Sequence, residues 1–266
     1  MGILNLTPDS FFDGGRYKDI DVILRHVESM IEEGADFIDI GASSTRPGAL
    51  PVSVEEEIER LIEPVKQIRN SFPEIFVSID TYHSKVAQRM VWDFGVDIIN
   101  DISAGSLDEA MFEMMSNLNV PYIIMHIQGT PEGMQKNPSY KELVKEVMKY
   151  LADRINQLNL LGVNDIIADP GFGFGKTLNQ NYELLADLDV FSLLDVPLLV
   201  GLSRKSMIYK LLKNTPEESL NGTSIVHTMA LINGANILRV HDIKQAKETI
   251  SLVSKLSEFS KPGIRG

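Results

Sequence analysis

"LLGVNDIIAD", residues 160–169, joins two kinds of pattern. Up to Leu160 the apolar residues fall three and four apart, as along one face of a helix. After Gly162 they turn into a short continuous run at Ile166 and Ile167 and stop at the acid Asp169. Glycine takes a left-handed C-cap at no steric cost, so the stretch reads as helix end, cap, buried strand and polar strand end. The same punctuation recurs in "EEGADFIDI" (32–40), "DFGVDIIND" (93–101) and "INGANILRV" (232–240), which points to a repeated unit.

Working outward, β-rich apolar runs lie at "GILN" (2–5), "FIDIGA" (37–42), "FVSID" (76–80), "DIIND" (97–101), "PYIIMHI" (121–127), "DIIADPG" (165–171), "PLLVGLS" (197–203) and "ILRVHD" (237–242). Helical spacing fills the intervals, as from Val22 to Ile31, Val54 to Ile68, Leu143 to Leu158 and Ala246 to Leu256. Strand then helix, eight times without a Pro/Gly-rich linker, predicts an α/β chain whose parallel strands close into a (β/α)8 TIM barrel, with the active site at the C-terminal mouth of the strands. Residues 1–266 read as a single domain of the length such a barrel usually has. A doubly wound open sheet is the alternative, but it wants a Gly-rich phosphate loop, and Gly171-Phe172-Gly173-Phe174-Gly175-Lys176 has the wrong spacing for one. Strand 1 starts at the first residue, which leaves the bottom of the barrel uncovered on that side; a short leading segment is the expected companion.

Composition narrows the function. A net charge of −12 and an isoelectric point near 4.9 repel phosphate backbones and anionic lipid, so nucleic acid and membrane are excluded as partners. The absence of cysteine removes disulfides, thiolate metal sites and a cysteine nucleophile. No apolar run approaches the roughly 20 residues that span a bilayer, and no signal pattern precedes the first strand, so a cytoplasmic location is expected.

Strand after strand ends in a polar residue: Asn5, Asp80, Asn100, Asp169, Ser203 with Lys205 just beyond, and Arg239 with His241. Any one of them alone could cap a helix or bond a loop amide, and His241 could be a strand-end cap. Together, on one rim beside continuous apolar runs, they point to a site. Arg239 and His241 are two apart on a strand and so share a face, and closure places strand 8 beside strand 1 and Asn5. That predicts an anion site, with a hard metal ion held through the Asn5 carbonyl oxygen and phosphate oxygens. On the opposite arc, Asp80, Asn100 and Asp169 with Lys205 suit several chemistries. They can form an acid/base pair as in glycoside hydrolysis, or hold two metals with little help beyond His126. They best fit the N–H and carbonyl edge of a planar amino-oxo heterocycle, with Met125 and Phe174 against its faces.

The stretches "GILNLTPDSFFDGG", "IDIGASSTRPGA", "SIDT", "INDISA", "MH", "ADPGFGFGKT", "GLSRKS" and "LRVHD" run in order from residue 2 to 242, and the chain resembles the dihydropteroate synthase family of pterin-binding barrels. The resemblance implies condensation of 6-hydroxymethyl-7,8-dihydropterin diphosphate with 4-aminobenzoate to 7,8-dihydropteroate and diphosphate, with Mg2+, in a homodimeric enzyme of the class that sulfonamides target. It assigns the pterin to Asp80, Asn100, Met125, Asp169, Phe174 and Lys205, and the diphosphate to Asn5, Arg239 and His241, with Asn5 on Mg2+. It assigns the aminobenzoate pocket to Phe11, Thr45, Arg46, Pro47 and Ser203. Asp80, Lys205, Arg239 and His241 would carry the chemistry. Phe11 would close over the aminobenzoate ring on a base of Gly14 and Gly15, while Phe12 has no assigned role. A corrinoid-linked methyltransferase barrel would share the pterin carboxylates without needing "STRPG" or the anion site. A non-catalytic relative would show damage among Asn5, Arg46, Lys205, Arg239 and His241, all of which are present.

Overall fold

The computed structural model of the chain describes residues 1–6, 16–43, 52–131, 133–134 and 138–259. Its strands are β1 (Gly2–Asn5), β2 (Phe37–Gly41), β3 (Phe76–Asp80), β4 (Ile98–Asp101), β5 (Tyr122–Met125), β6 (Ile166–Asp169), β7 (Leu199–Val200) and β8 (Ile237–Leu238). The helices that alternate with them are α1 (Arg16–Glu32), α2 (Val54–Ser71), α3 (Ser84–Phe94), α4 (Met111–Leu118), α5 (Leu143–Leu160), α6 (Leu178–Ala186), α7 (Ser206–Leu212), α8 (Leu220–Ile232) and α9 (Ile243–Ser257). β1 to β6 pair in sequence order, every pair parallel, and β7 pairs with β8. Two bridges complete the ring, Ala168 to Leu198 between β6 and β7, and Gly2 to Val240 between β8 and β1. At the second, the Ile3 amide donates to the Val240 carbonyl (3.0 Å) and the Val240 amide to the Met1 carbonyl (2.9 Å). The expected barrel is therefore present.

Local sequence explains the joints. The four glycines that punctuate helix and strand all have positive φ, from +64° at Gly95 to +100° at Gly234. Ser53 caps α2 by accepting from the Glu56 amide (3.2 Å), and Thr177 with Gln180 forms a reciprocal capping box at α6.

Strand alternation sorts the core into two layers. Outward side chains such as Leu4, Ile38, Val77, Ile99 and Ile124 pack on the helices through Val27, Leu61, Met90 and Leu151. Inward, Met1, Ile98, Ile123 and Leu199 plug the barrel near its base. Above that plug the interior turns polar, with Asp39 and Ser78 side by side in register on β2 and β3 and both fully buried.

Two expected strands are shorter than the apolar runs that predicted them. β7 ends at Val200 and β8 at Leu238, so Ser203 and His241 lie beyond the ladder, while the Arg239 amide still donates to the Val200 carbonyl (3.0 Å). For β7 the reason is local: Arg204 adopts φ +54° and the Lys205 amide donates back to the Leu202 carbonyl (3.2 Å), turning the chain out of the sheet. Among the described residues no helix is long and apolar enough to cross a membrane.

Candidate active site

The strand ends bring Asp80, Asn100, Asp169 and Arg239 together at the mouth, joined by a residue that the sequence did not single out. Asp39, two residues before the end of β2, is fully buried, and its Oδ2 accepts from Arg239 Nε (2.6 Å) and from Asn100 Nδ2 (3.0 Å). The other end of Arg239 donates from Nη2 to Asp80 Oδ2 (2.8 Å). Arg239 was expected on the anion side, across the mouth from Asp80. In the structure its guanidinium reaches past β1 to the carboxylates on β2 and β3, because closure places β8 beside β1 and the arginine side chain is long enough to span that strand. The signal for Asp39 was one acid inside the apolar run "FIDIG", on the inward-facing parity of its strand.

The charges there are held in unusual states. Burial pushes Asp80 up to about 7, against the pull of Arg239 and with the help of Asp39. Burial also raises Asp169, opposed by Lys205. Lys205 is brought down to about 8 by burial, with Asp169 opposing. Burial alone would lower Arg239, but Asp39 and Asp80 outweigh it and hold the guanidinium firmly charged.

On the β6 side, the Gly171 amide donates to Asp169 Oδ1 (2.7 Å), which leaves Oδ2 for a ligand. Lys205 donates from Nζ to the Phe172 carbonyl, and its Nζ stands 4.5 Å from the centre of the Phe174 ring. Phe174 and Met125 belong to one apolar cluster with Ile102, Ile127, Met134 and Tyr82. A second residue missed in the sequence, Lys176, is buried behind this loop. Its Nζ donates to the carbonyls of Gly171 (2.8 Å) and Phe174 (3.2 Å) and meets His126 Nδ1 at 3.0 Å, so three acceptors face its three N–H bonds. Burial lowers Lys176 to about 7, and burial followed by the Lys176 charge lowers His126 to about 3, which keeps the imidazole neutral.

The same loop yields a stability prediction. A Cβ on Gly171 would lie 1.9 Å from the His126 carbonyl oxygen, at φ +75°. Gly171→Ala is therefore expected to cost about 2–5 kcal/mol from left-handed strain and overpacking. That corresponds to a fall of roughly 5–15 °C in thermal midpoint, measured by calorimetry. An unchanged midpoint would mean that the loop simply moves aside.

On the opposite side, His241 Nδ1 lies 3.1 Å from Ser203 Oγ, which also accepts from the His241 amide (3.3 Å). Arg204 and Asp242 tie these two segments together with bonds of 2.9 and 2.7 Å. For Asn5, the informative neighbour is Gly41. A Cβ there would sit 3.5 Å from Asp80 Cβ and 3.7 Å from both Asn5 Oδ1 and Asp80 Oδ2, so the glycine keeps the space beside those two oxygens clear of a side chain. Among the described residues no group of three His, Asp or Glu side chains is placed to hold a metal. Asn5 is a neutral oxygen donor, of the kind that can hold a hard cation such as Mg2+ only when water and a substrate phosphate supply most of the other oxygens. Phe11, Thr45, Arg46 and Pro47 lie outside the described residues.

Comparison with known proteins agrees with this chemistry. The model of the family described as "Pterin binding enzyme" matches residues 1–241. The dihydropteroate synthase of Escherichia coli (strain K12) is 44% identical over 255 residues, 95% of this chain and 89% of that one. Among solved structures, Yersinia pestis dihydropteroate synthase in a sulfonamide drug complex superposes with a TM-score of 0.90 at 38% identity, covering 97% of this chain and 93% of that one. Xanthomonas albilineans dihydropteroate synthase with 4-aminobenzoic acid gives 0.89 at 36% identity over the same shares. At such identity over nearly the whole of both chains, the likeness reaches beyond the barrel to the enzyme, and the chain belongs to the dihydropteroate synthase family of pterin binding enzymes.

Proposed function

We propose that the mouth of this barrel condenses 6-hydroxymethyl-7,8-dihydropterin diphosphate with 4-aminobenzoate, giving 7,8-dihydropteroate and diphosphate. One observation carries the division of labour: a single arginine stands between the carboxylate that would face the developing cation and the side that would receive the leaving anion. Asp169 and Asn100 accept and donate along the pyrimidine edge of the pterin, Lys205 donates to a ring acceptor, and Met125 and Phe174 cover its faces. The C–O bond of the CH2–O–P link breaks with its electron pair leaving on the diphosphate oxygen. Asp80 stabilises the pterin-methyl cation that remains, and Arg239 and His241 stabilise the departing anion. The arylamine nitrogen then bonds to the CH2 carbon and releases one proton. Mg2+ bound through Asn5 and the diphosphate oxygens would neutralise leaving-group charge. Phe11, Thr45, Arg46, Pro47 and Ser203 form the aminobenzoate pocket in this reading, and exclusion of water protects the cation from hydrolysis.

The direct test supplies both substrates and Mg2+ and follows dihydropteroate and diphosphate. Stoichiometric release of both supports the reading; no product above background overturns it.

We further place residues 1–266 in one domain of a cytoplasmic homodimer. In support, α8 and α9, which pack against each other, each expose apolar residues: Ile225, Met229 and Ile232 on one, Leu252 and Leu256 on the other, with Phe259 in the turn that follows. A face that apolar is rarely left to water in a monomer. Light scattering should give twice the chain mass for the native protein and the monomer mass for Met229→Glu combined with Leu256→Glu. A monomeric native protein would overturn the dimer.

A further inference from the structure

Asp39 is costly where it stands. Its side chain is fully buried, and among the described residues neither its Oδ1 nor the neighbouring Ser78 Oγ has a hydrogen-bond partner. A buried ion pair with an orphaned oxygen is weak evidence of a stabilising role, since apolar side chains of similar volume in place of the whole pair do as well or better. What the carboxylate does supply is direction. A carboxylate only accepts, so Asn100 must turn Nδ2 toward it, which leaves the Asn100 carbonyl oxygen and one N–H for a ligand. The guanidinium is planar, so holding Nε fixes the plane in which its four remaining N–H bonds lie.

We propose that Asp39 is a positioning residue that orients Arg239 and Asn100 with one oxygen, so that the anion-facing and pterin-facing halves of the site are set by a single carboxylate. The proposal rests on the reading of this site as one for a pterin diphosphate. It is tested with ligands that divide that substrate: inorganic diphosphate with Mg2+, and 6-hydroxymethyl-7,8-dihydropterin without its diphosphate.

Asp39→Asn keeps the shape but can donate as well as accept, so neither partner is oriented uniquely. Titration calorimetry should show each ligand weakened roughly tenfold, about one charge-assisted hydrogen bond for each half. By contrast, Arg239→Ala should weaken mainly the diphosphate and Asn100→Ala mainly the pterin. The turnover number of Asp39→Asn, measured well below its thermal midpoint, should fall by roughly 30- to 100-fold, and the midpoint should fall too, since Arg239 keeps only Asp80 as a charged partner. A merely structural residue would give the lower midpoint with normal turnover of the folded protein. Wild-type affinity for either ligand in Asp39→Asn overturns the proposal, as does a loss explained by unfolding. If that variant does not fold, Asp39→Ser is measured against the same criteria. The two readings fail separately: a native protein that binds both ligands but forms no dihydropteroate sinks the function and leaves Asp39 tested by binding alone.

Discussion

Replacing Arg239 by alanine is expected to lower kcat/KM for the pterin diphosphate by roughly 1,000-fold, the largest loss at any position outside the barrel core. Two effects add. The departing diphosphate loses the cation that would stabilise it, and removing a preorganised contact of that kind typically costs 100- to 1,000-fold, about 3–4 kcal/mol. Asp39 and Asp80 also lose the guanidinium that lies 2.6 and 2.8 Å from them, and Asp39 keeps only Asn100 in a fully buried position. Breaking a buried pair by removing one partner is strongly destabilising because the other charge stays behind. Pterin lacking the diphosphate should still bind through Asn100, Asp169 and Lys205, with a loss of no more than about tenfold that reports the altered charge on Asp80. Arg239→Lys should recover only part of the rate, since a point-like ammonium cannot hold Asp39 and Asp80 in a planar fork. Steady-state kinetics beside calorimetric binding distinguish the cases. Equal losses in turnover and pterin affinity would show that Arg239 acts only as a counter-ion.

The second large effect is expected at Asp80, where Asp80→Asn removes the charge facing the pterin cation and should lower kcat by roughly 100- to 1,000-fold. Its signature lies in the pH profile. Burial lifts Asp80 from 3.8 to about 7, with Arg239 pulling it down and Asp39 pushing it up. The ionised form is the active one, so kcat/KM of the native enzyme should fall with unit slope as pH drops below about 7. Asp80→Asn should lose that acid limb. The shift also has a stability side of fixed sign. The folded chain binds this proton more tightly than the unfolded one, so Asp80 contributes stability at low pH that is lost as pH rises through 3.8 to about 7. Asp80→Asn should therefore be at least as stable as the native protein at pH 8 in thermal unfolding. Survival of the acid limb in the asparagine variant would assign it to another group.

Much of this was legible in the residues. The glycine caps, the eight apolar runs and the polar residue that ends most of them predict a barrel with its chemistry at one mouth, because both signals are short-range: a cap and a strand parity need only a few neighbours. Asp39 and Lys176 escaped for the opposite reason. Asp39 looks like an interruption in "FIDIG", and Lys176 like an ordinary loop cation before a helix, until closure buries both.

By itself the sequence determined the order and parity of the strands, the rim on which the functional groups gather and, through its motifs, the family. Only the tertiary structure decided which charge meets which. Asp39 and Arg239 are 200 positions apart, and their 2.6 Å contact exists because ring closure seats β8 beside β1, which leaves only that strand between β8 and β2. A local pattern sets the direction in which a side chain leaves its own strand, but a partner on a strand remote in sequence is fixed by ring closure and by side-chain length, which no stretch of neighbouring residues specifies.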